Sequence, residues 1–340
     1  MTATMKRREF ITLLGGAAAA WPLVSRAQVS RKRPLIGRLS SGSKNVPPVA
    51  KYIDRFLAGM RELGYVEGRD FDMTYAMADF HADRLPQVTA QLVKLAPDVI
   101  LAGGTLEAVA ARKATATIPI VVGALADPVA LGFATSEARP TGNVTGITPY
   151  VKGLPAKQLE LAREVVPGAT RIGLIDDVTD PKAHPQQQEI EAAGRTLDIE
   201  IVPAEVRTAA DIDAAYQALT SAGVQAVVVE QSNMLLFARQ PIAEAAATKR
   251  LPTVYGYREH VEAGGLISYG INLDWCQHRA AYYVDKILKG VKPSDLPIEF
   301  PTHLERSSTS RPRKRSDSKY LRCCSPAPTR WSNDVKGGST

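Results

Sequence analysis

Cysteine is scarce in this sequence: of three among 340 residues, Cys323 and Cys324 fall near the C-terminus and only Cys276 lies in the body. One thiol cannot build a disulfide framework or a cysteine-ligated zinc cluster. The five histidines, His81, His184, His260, His278 and His303, are scattered and never form His-Glu-x-x-His, so metal-ligand spacing is absent. No Gly-x-Gly-x-x-Gly opens a helix and no Gly-x-x-x-x-Gly-Lys-Ser/Thr occurs, which removes the phosphate cradles of dinucleotide and P-loop proteins. Gly265–Gly270 resembles a nucleophile elbow, but Ser268 falls one place too late for Gly-x-Ser-x-Gly. Asp176-Asp177 reads as a ligand contact or helix cap rather than a phospho-acceptor or metal pair. The sequence therefore offers no catalytic set and calls for no cofactor and no metal.

Excess charge is also missing where it would matter. The net +7 resides in the two ends: residues 1–27 carry +3 and residues 304–340 carry +6, leaving 29 basic against 31 acidic residues in 28–303. The body is not basic, so no nucleic-acid partner is expected. A composition of 45% hydrophobic and 23% charged residues excludes wholesale disorder.

The N-terminus reads Lys6-Arg7-Arg8-Glu9-Phe10-Ile11, then an apolar run from Ile11 to Val24, then Ser25-Arg26-Ala27. A basic start, a short apolar stretch and small residues at the −3 and −1 positions describe an export signal cleaved after Ala27. The run is too short for a comfortable bilayer span. Arg7-Arg8-x-Phe10-Ile11 resembles a twin-arginine signal, and no Cys follows to carry a lipid anchor. The expected product is soluble, periplasmic and begins at Gln28.

After Leu304 the composition turns to Ser, Arg, Pro and Thr, and residues 304–340 read as a disordered basic tail. One back-translation of Ser307–Arg315, borrowing a nucleotide from the Arg306 codon, gives Leu-Val-Asn-Leu-Lys-Thr-Ala-Lys-Ala in the shifted frame. Continuing through the fixed Trp331 codon yields an amphipathic helix pattern and a stop. The expectation is a frameshift after Glu305.

Between Pro34 and Pro301, short apolar runs alternate with helical patterns. Strands are expected at Leu35–Leu39, Phe71–Ala76, Val99–Ala102, Ile118–Gly123, Val144–Thr148, Ile172–Asp176, Glu200–Pro203, Ala226–Glu230, Thr253–Tyr257 and Leu266–Tyr269. Helices are expected over Val49–Leu63, Leu85–Leu95, Leu106–Ala114, Ala156–Val165, Gln186–Leu197, Ala209–Ala222, Leu235–Lys249 and Trp275–Leu288. Val/Ile-rich, fully apolar strands are those of parallel sheets covered on both faces. This rhythm predicts an α/β fold of two Rossmann-like lobes with parallel sheets, divided near Thr148–Pro155.

Open α/β sheets place ligands at the carboxyl ends of their strands. Those ends here read Ser40-Ser41-Gly42, Gly103-Gly104-Thr105 and Ala126-Asp127-Pro128 in the first lobe. In the second they read Asp176-Asp177, Gln231-Ser232-Asn233 and Tyr257-Arg258-Glu259. Each alone is ordinary turn chemistry, but six such ends on two lobes define a ligand site. The candidate binding residues are Ser41, Thr105, Asp127, Asp177, Ser232 and Tyr257. A carboxylate is expected over the Gly104–Thr105 helix start, and an amine beside Asp177 or Asp127. Tyr150, Tyr255, Tyr257 and Phe237 are candidates to stack on a ring, with core packing the plainer role for Phe237.

Six blocks carry a resemblance in order: Arg61–Gly68, Asp83–Pro86, Asp127–Gly132, Arg139–Gly146, Val166–Ala169 and Glu262–Gly270. The chain resembles the solute-binding proteins of ABC transporters, in the group that includes tryptophan- and tyrosine-binding importers. The match spans roughly Pro34 to Glu305. The resemblance implies the type I periplasmic binding fold, with residues 34–148 rejoined by 273–291 in one lobe and 152–271 in the other, joined by crossover segments. It further implies a non-enzymatic, monomeric receptor that captures a small-molecule ligand and delivers it to ABC permease and ATPase subunits. Such lobes hinge about the crossovers, near Tyr150 and Asn272. Members of the group continue past Pro301-Thr302 with a strand and helix, which the printed tail does not supply. The competing class, a secreted hydrolase or oxidoreductase, needs a nucleophile–base or metal set that the chain lacks. An effector-sensing regulator needs an N-terminal helix-turn-helix, where residues 1–33 hold an apolar segment instead.

Overall fold

Leu35–Ser40 (β1) buries Ile36 on one face and Leu39 on the other, as a central parallel strand must. The computed structural model describes residues 33–309 apart from Ala126, Asp127, Ala130, Glu137, Ala138, Tyr150, Thr302 and His303. The expected export segment, Asp127, Tyr150 and the chain beyond Thr309 therefore lie outside the described residues.

Asp72–Met77 (β2), Val99–Ala102 (β3) and Ile120–Val122 (β4) follow β1. A small antiparallel pair comes next, Ala134–Ser136 (β5) with Arg139–Pro140 (β6), and then Val144–Gly146 (β7). The first sheet has the order β2-β1-β3-β4-β7, with every pairing parallel. Its helices are Pro47–Glu62 (α1), Leu85–Lys94 (α2) and Thr105–Ala114 (α3). Pro47 and Pro48 open α1, where a missing N–H costs nothing. The helix buries Tyr52, Ile53, Phe56 and Met60 on the face its sequence period defines.

Leu154–Val165 (α4) leads into the second sheet. Its parallel strands are Arg171–Asp177 (β8), Glu200–Val206 (β9), Ala226–Val229 (β10), Thr253–Tyr255 (β11) and Ile267–Ile271 (β12). The helices are Ala183–Leu197 (α5), Ile212–Ser221 (α6), Asn233–Phe237 (α7), Arg239–Lys249 (α8) and Arg258–Glu262 (α9). Leu273–Leu288 (α10) then returns to pack on α1, where Cys276, Ala280 and Val284 join Ile36, Phe56 and Met60 in one core. The chain thus passes between the sheets after β7, at Asn272, and between Glu299, which bridges to Ile147, and Leu304, which pairs with Ile271.

All ten expected strands are present, with three departures elsewhere. The expected disordered tail starts too early, because Leu304–Ser308 (β13) pairs antiparallel with β12 and closes the sheet edge. Backbone pairing needs no apolar pattern, so Glu305 and Arg306 enter a strand that composition does not announce. The single helix expected over Leu235–Lys249 is broken at Ala238 into α7 and α8. The five-residue α9 follows a strand end that reads as loop. Among the described residues no helix is long and apolar enough to cross a membrane.

Candidate ligand-binding cleft

The carboxyl ends of both sheets meet in a cleft whose apolar floor is shared. Tyr52, Ala124 and Leu273 from the first lobe pack with Leu236 and Tyr257 from the second. Above this floor remains a cavity of about 20 Å³, lined among others by Arg38, Tyr52, Glu107, Asn233, Phe237 and Gln277. That space holds about one water, so the lobes stand closed on one another.

The first-lobe wall is charged. Arg38 shares the face of β1 that carries Ile36, is 2% exposed, and donates from Nη1 to Gln277 Oε1 at 3.0 Å. Burial lowers its pKa to about 10, against the opposing pull of Glu107. Glu107, in the first turn of α3, accepts from Ser41 N at 2.7 Å and, more distantly, from Asn233 Nδ2 of the other lobe at 3.4 Å. Two glycines permit these approaches. A Cβ on Gly123 would lie 2.4 Å from Gln277 Nε2, and one on Gly104 would lie 2.5 Å from Asn233 Nδ2.

Contacts of both kinds cross the cleft. Tyr52 donates to Glu259 Oε1 at 3.1 Å, and burial followed by Glu259 holds the phenol pKa well above its usual value. Phe80 meets Phe237 edge to face at 5.0 Å. Toward the crossovers, Lys51 and Arg55 of α1 reach Asp274 at 3.2 and 3.4 Å. Arg258 bonds the same Asp274 at 3.0 Å and approaches Glu305 at 3.4 Å. The half-exposed members of this group contribute little individually.

Deeper in the second lobe, Asp176 and Glu230 follow the paired residues Ile175 and Val229, and each is 2% exposed. Burial raises both carboxyl pKa values, Glu230 the more strongly; Asp176 raises Glu230 further, whereas Glu230 works against the rise at Asp176. Neighbouring Lys182 is tied to Asp180 at 2.7 Å and both are buried. His260 donates from Nε2 to Leu235 O at 3.1 Å; burial lowers its pKa to about 4, so the ring is neutral. Among the described residues no group of three His, Cys, Asp or Glu is placed to hold a metal.

The expected site residues divide. Thr105, with its hydroxyl 3.5 Å from Ala124 O, lies at the α3 start. Ser41 joins the Glu107 contact through its backbone, and Tyr257 belongs to the shared floor. Asp177 and Ser232 also carry local structure: Asp177 Oδ1 accepts from Thr179 N and Oγ1, and Ser232 Oγ caps α7 by accepting from Leu235 N. The helix start expected to hold a carboxylate already carries one in Glu107 and is covered by Asn233, so a second anion there meets repulsion. Tyr255 stacks on His260 within the core, whereas Phe237 faces the cleft. Arg38, Glu107, Gln277, Asn233 and Tyr52 escaped the sequence reading. Only Arg38 left a signal, as the one charge inside an apolar strand.

Two α/β lobes with mostly parallel sheets, joined by three crossings and closing on a polar cleft, define the type I periplasmic binding architecture. The pattern of the ABC transporter substrate binding protein family matches residues 45–305, and the chain belongs to that family. It is 24% identical over 252 residues to the tyrosine-binding protein of Clostridioides difficile, covering 74% of this chain and 72% of that one. Its fold is similar to that of an ABC domain in complex with L-Trp from Streptococcus pneumoniae, with a TM-score of 0.75, 22% identity, and 81% and 91% of the two chains covered. It is also similar to a conserved domain protein from Vibrio cholerae, with a TM-score of 0.76, 24% identity, and 82% and 92% covered.

Proposed function

We propose that this chain is the extracytoplasmic receptor of an ABC importer, and that it captures a small organic solute between its lobes for delivery to a permease. The solute is an amino acid or an aromatic or heterocyclic acid. One observation carries the reading: polar and aromatic groups of both lobes, Arg38, Glu107 and Tyr52 on one side and Asn233, Phe237 and Tyr257 on the other, converge on one buried cleft. A solute touching both walls favours the closed state through contacts that the open state lacks. The tyrosine-binding relative supports an aromatic amino acid as the first candidate. Ser41, Thr105 and Tyr257 remain proposed contacts, as does Asp127 at the rim. Export, with cleavage after Ala27, and a monomeric state complete the proposal.

The test is a thermal-shift screen of the mature protein against amino acids, aromatic acids and heterocycles. A solute at a hundred times its Kd stabilises the folded state by about 2.7 kcal/mol. A screen in which no small solute raises the melting temperature contradicts the receptor reading.

A further inference from the structure

We infer that Arg38 is the anion-binding residue of this cleft, and that the captured solute carries a carboxylate or similarly compact anionic group which pairs with its guanidinium. The inference rests on the receptor reading and narrows the class of solute.

A guanidinium has five N–H donors. In Arg38 the structure uses one, toward the neutral Gln277 amide, while Nε is buried without a hydrogen-bond partner. Among the described residues no carboxylate comes within ion-pairing distance of it. Buried arginines normally sit against an acid, because an uncompensated buried charge is strongly destabilising. Gln277 orients the guanidinium without neutralising it.

The nearest acid, Glu107, is turned to other partners. Its Oε1 accepts from Ser41 N, and its Oε2 faces Asn233. A Cβ on Gly103 would lie 3.5 Å from Arg38 Nη2 and 3.4 Å from Glu107 Oε1. Both charges therefore border the same patch of bare backbone without touching each other. A planar carboxylate fits the fork of an arginine through two parallel hydrogen bonds. Arg38 also supplies what the α3 start lacks, since Glu107 already places negative charge there. A ligand anion at Arg38 completes the ion pair that the protein leaves open.

The test uses the mature full chain, with Arg38→Met and Arg38→Lys, and matched acid and amide probes. The pairs are L-tyrosine with L-tyrosinamide, L-tryptophan with L-tryptophanamide, and indole-3-acetate with indole-3-acetamide; the wider solute screen is run alongside. The expected result is that acids bind and their amides do not. Arg38→Met should weaken acid binding by about 10- to 150-fold, as loss of hydrogen bonds to a charged group does. Arg38→Lys should fall between, because it keeps the charge and loses the fork. The ligand-free Arg38→Lys protein, which keeps a cation near Glu107 and a donor for Gln277, should melt close to wild type, so that its lost acid affinity reports the missing fork.

The inference is overturned by amides binding as well as their acids, by Arg38→Met binding acids unchanged, or by a marked drop in the ligand-free melting temperature of Arg38→Lys, which assigns Arg38 a structural role. Neutral solutes binding while every acid fails also overturns it, and leaves the receptor reading intact. Failure of the receptor reading is distinct, since there no solute of any charge binds.

Discussion

Tyr52 on the first helix and Glu259 at the start of a five-residue helix in the other lobe are joined by a hydrogen bond of 3.1 Å, and both are buried. Neither residue has a sequence neighbour in the opposite lobe, so the bond exists only when the lobes are closed. Breaking it leaves the Glu259 carboxyl, whose pKa burial already raises, with one partner fewer.

Tyr52→Phe should therefore favour opening by about 1–3 kcal/mol, the cost of an unsatisfied buried polar group. The measurable outcome is a larger radius of gyration for the ligand-free variant than for wild type, with weaker apparent affinity. Equal radii would show that this bond does not hold the closed state.

Gly104→Ala places a methyl where the Asn233 amide now lies, 2.5 Å away. Its backbone is extended, so alanine introduces no strain of its own. The expected outcome is weakened solute binding with the fold intact, and recovery in the Gly104→Ala/Asn233→Ala double variant. A double variant no better than the single one would place the defect elsewhere.

His260 links stability to acid. Its pKa is lowered by burial from 6.5 to about 4, so the folded state keeps the ring neutral while the unfolded state takes up a proton. The contribution is fully present above about pH 6.5 and is lost as pH falls toward 4, on the order of 3 kcal/mol across that interval. His260→Gln, which retains a donor for Leu235 O, should flatten the dependence of urea stability between pH 7 and 5. A variant as acid-sensitive as wild type would contradict this.

The Asp176–Glu230 pair works in the opposite sense. Both folded pKa values are raised, so the folded state holds more protons, and stability declines as pH rises from the normal carboxylate range through the raised values. Glu230→Gln removes one titrating partner at nearly constant shape. Its stability relative to wild type should be greatest at pH 8 and should shrink as pH falls toward 5. A difference that does not vary with pH would show that the pair carries no linked proton.

The strands were legible because runs such as Val99–Ala102 and Ala226–Val229 are buried on both faces and must be apolar throughout. β13 was not, since Arg306 and Ser307 enter the sheet by backbone pairing alone. The cleft was legible as a place, through Gly103-Gly104-Thr105 and the other strand ends, more than as a set of side chains. Asp177 and Ser232 lie at such ends yet serve a turn and a cap, which composition cannot separate from ligand contact. Gln277 and Tyr52 reach the site from helices far away in sequence, and only the packing of α10 on α1 brings them there. The lone charge of Arg38 in an apolar strand was the readable clue, because a buried guanidinium needs a reason.

Small-angle scattering across a titration with the strongest solute from the screen tests the central claim most directly. The cavity of about 20 Å³ admits no solute without opening, so the free protein populates an open state alongside the closed one, and a solute shifts that population toward closure. Capture between the lobes predicts a radius of gyration that falls in step with saturation at one solute per chain. A radius unchanged at full occupancy would contradict it, and would place the solute outside the cleft.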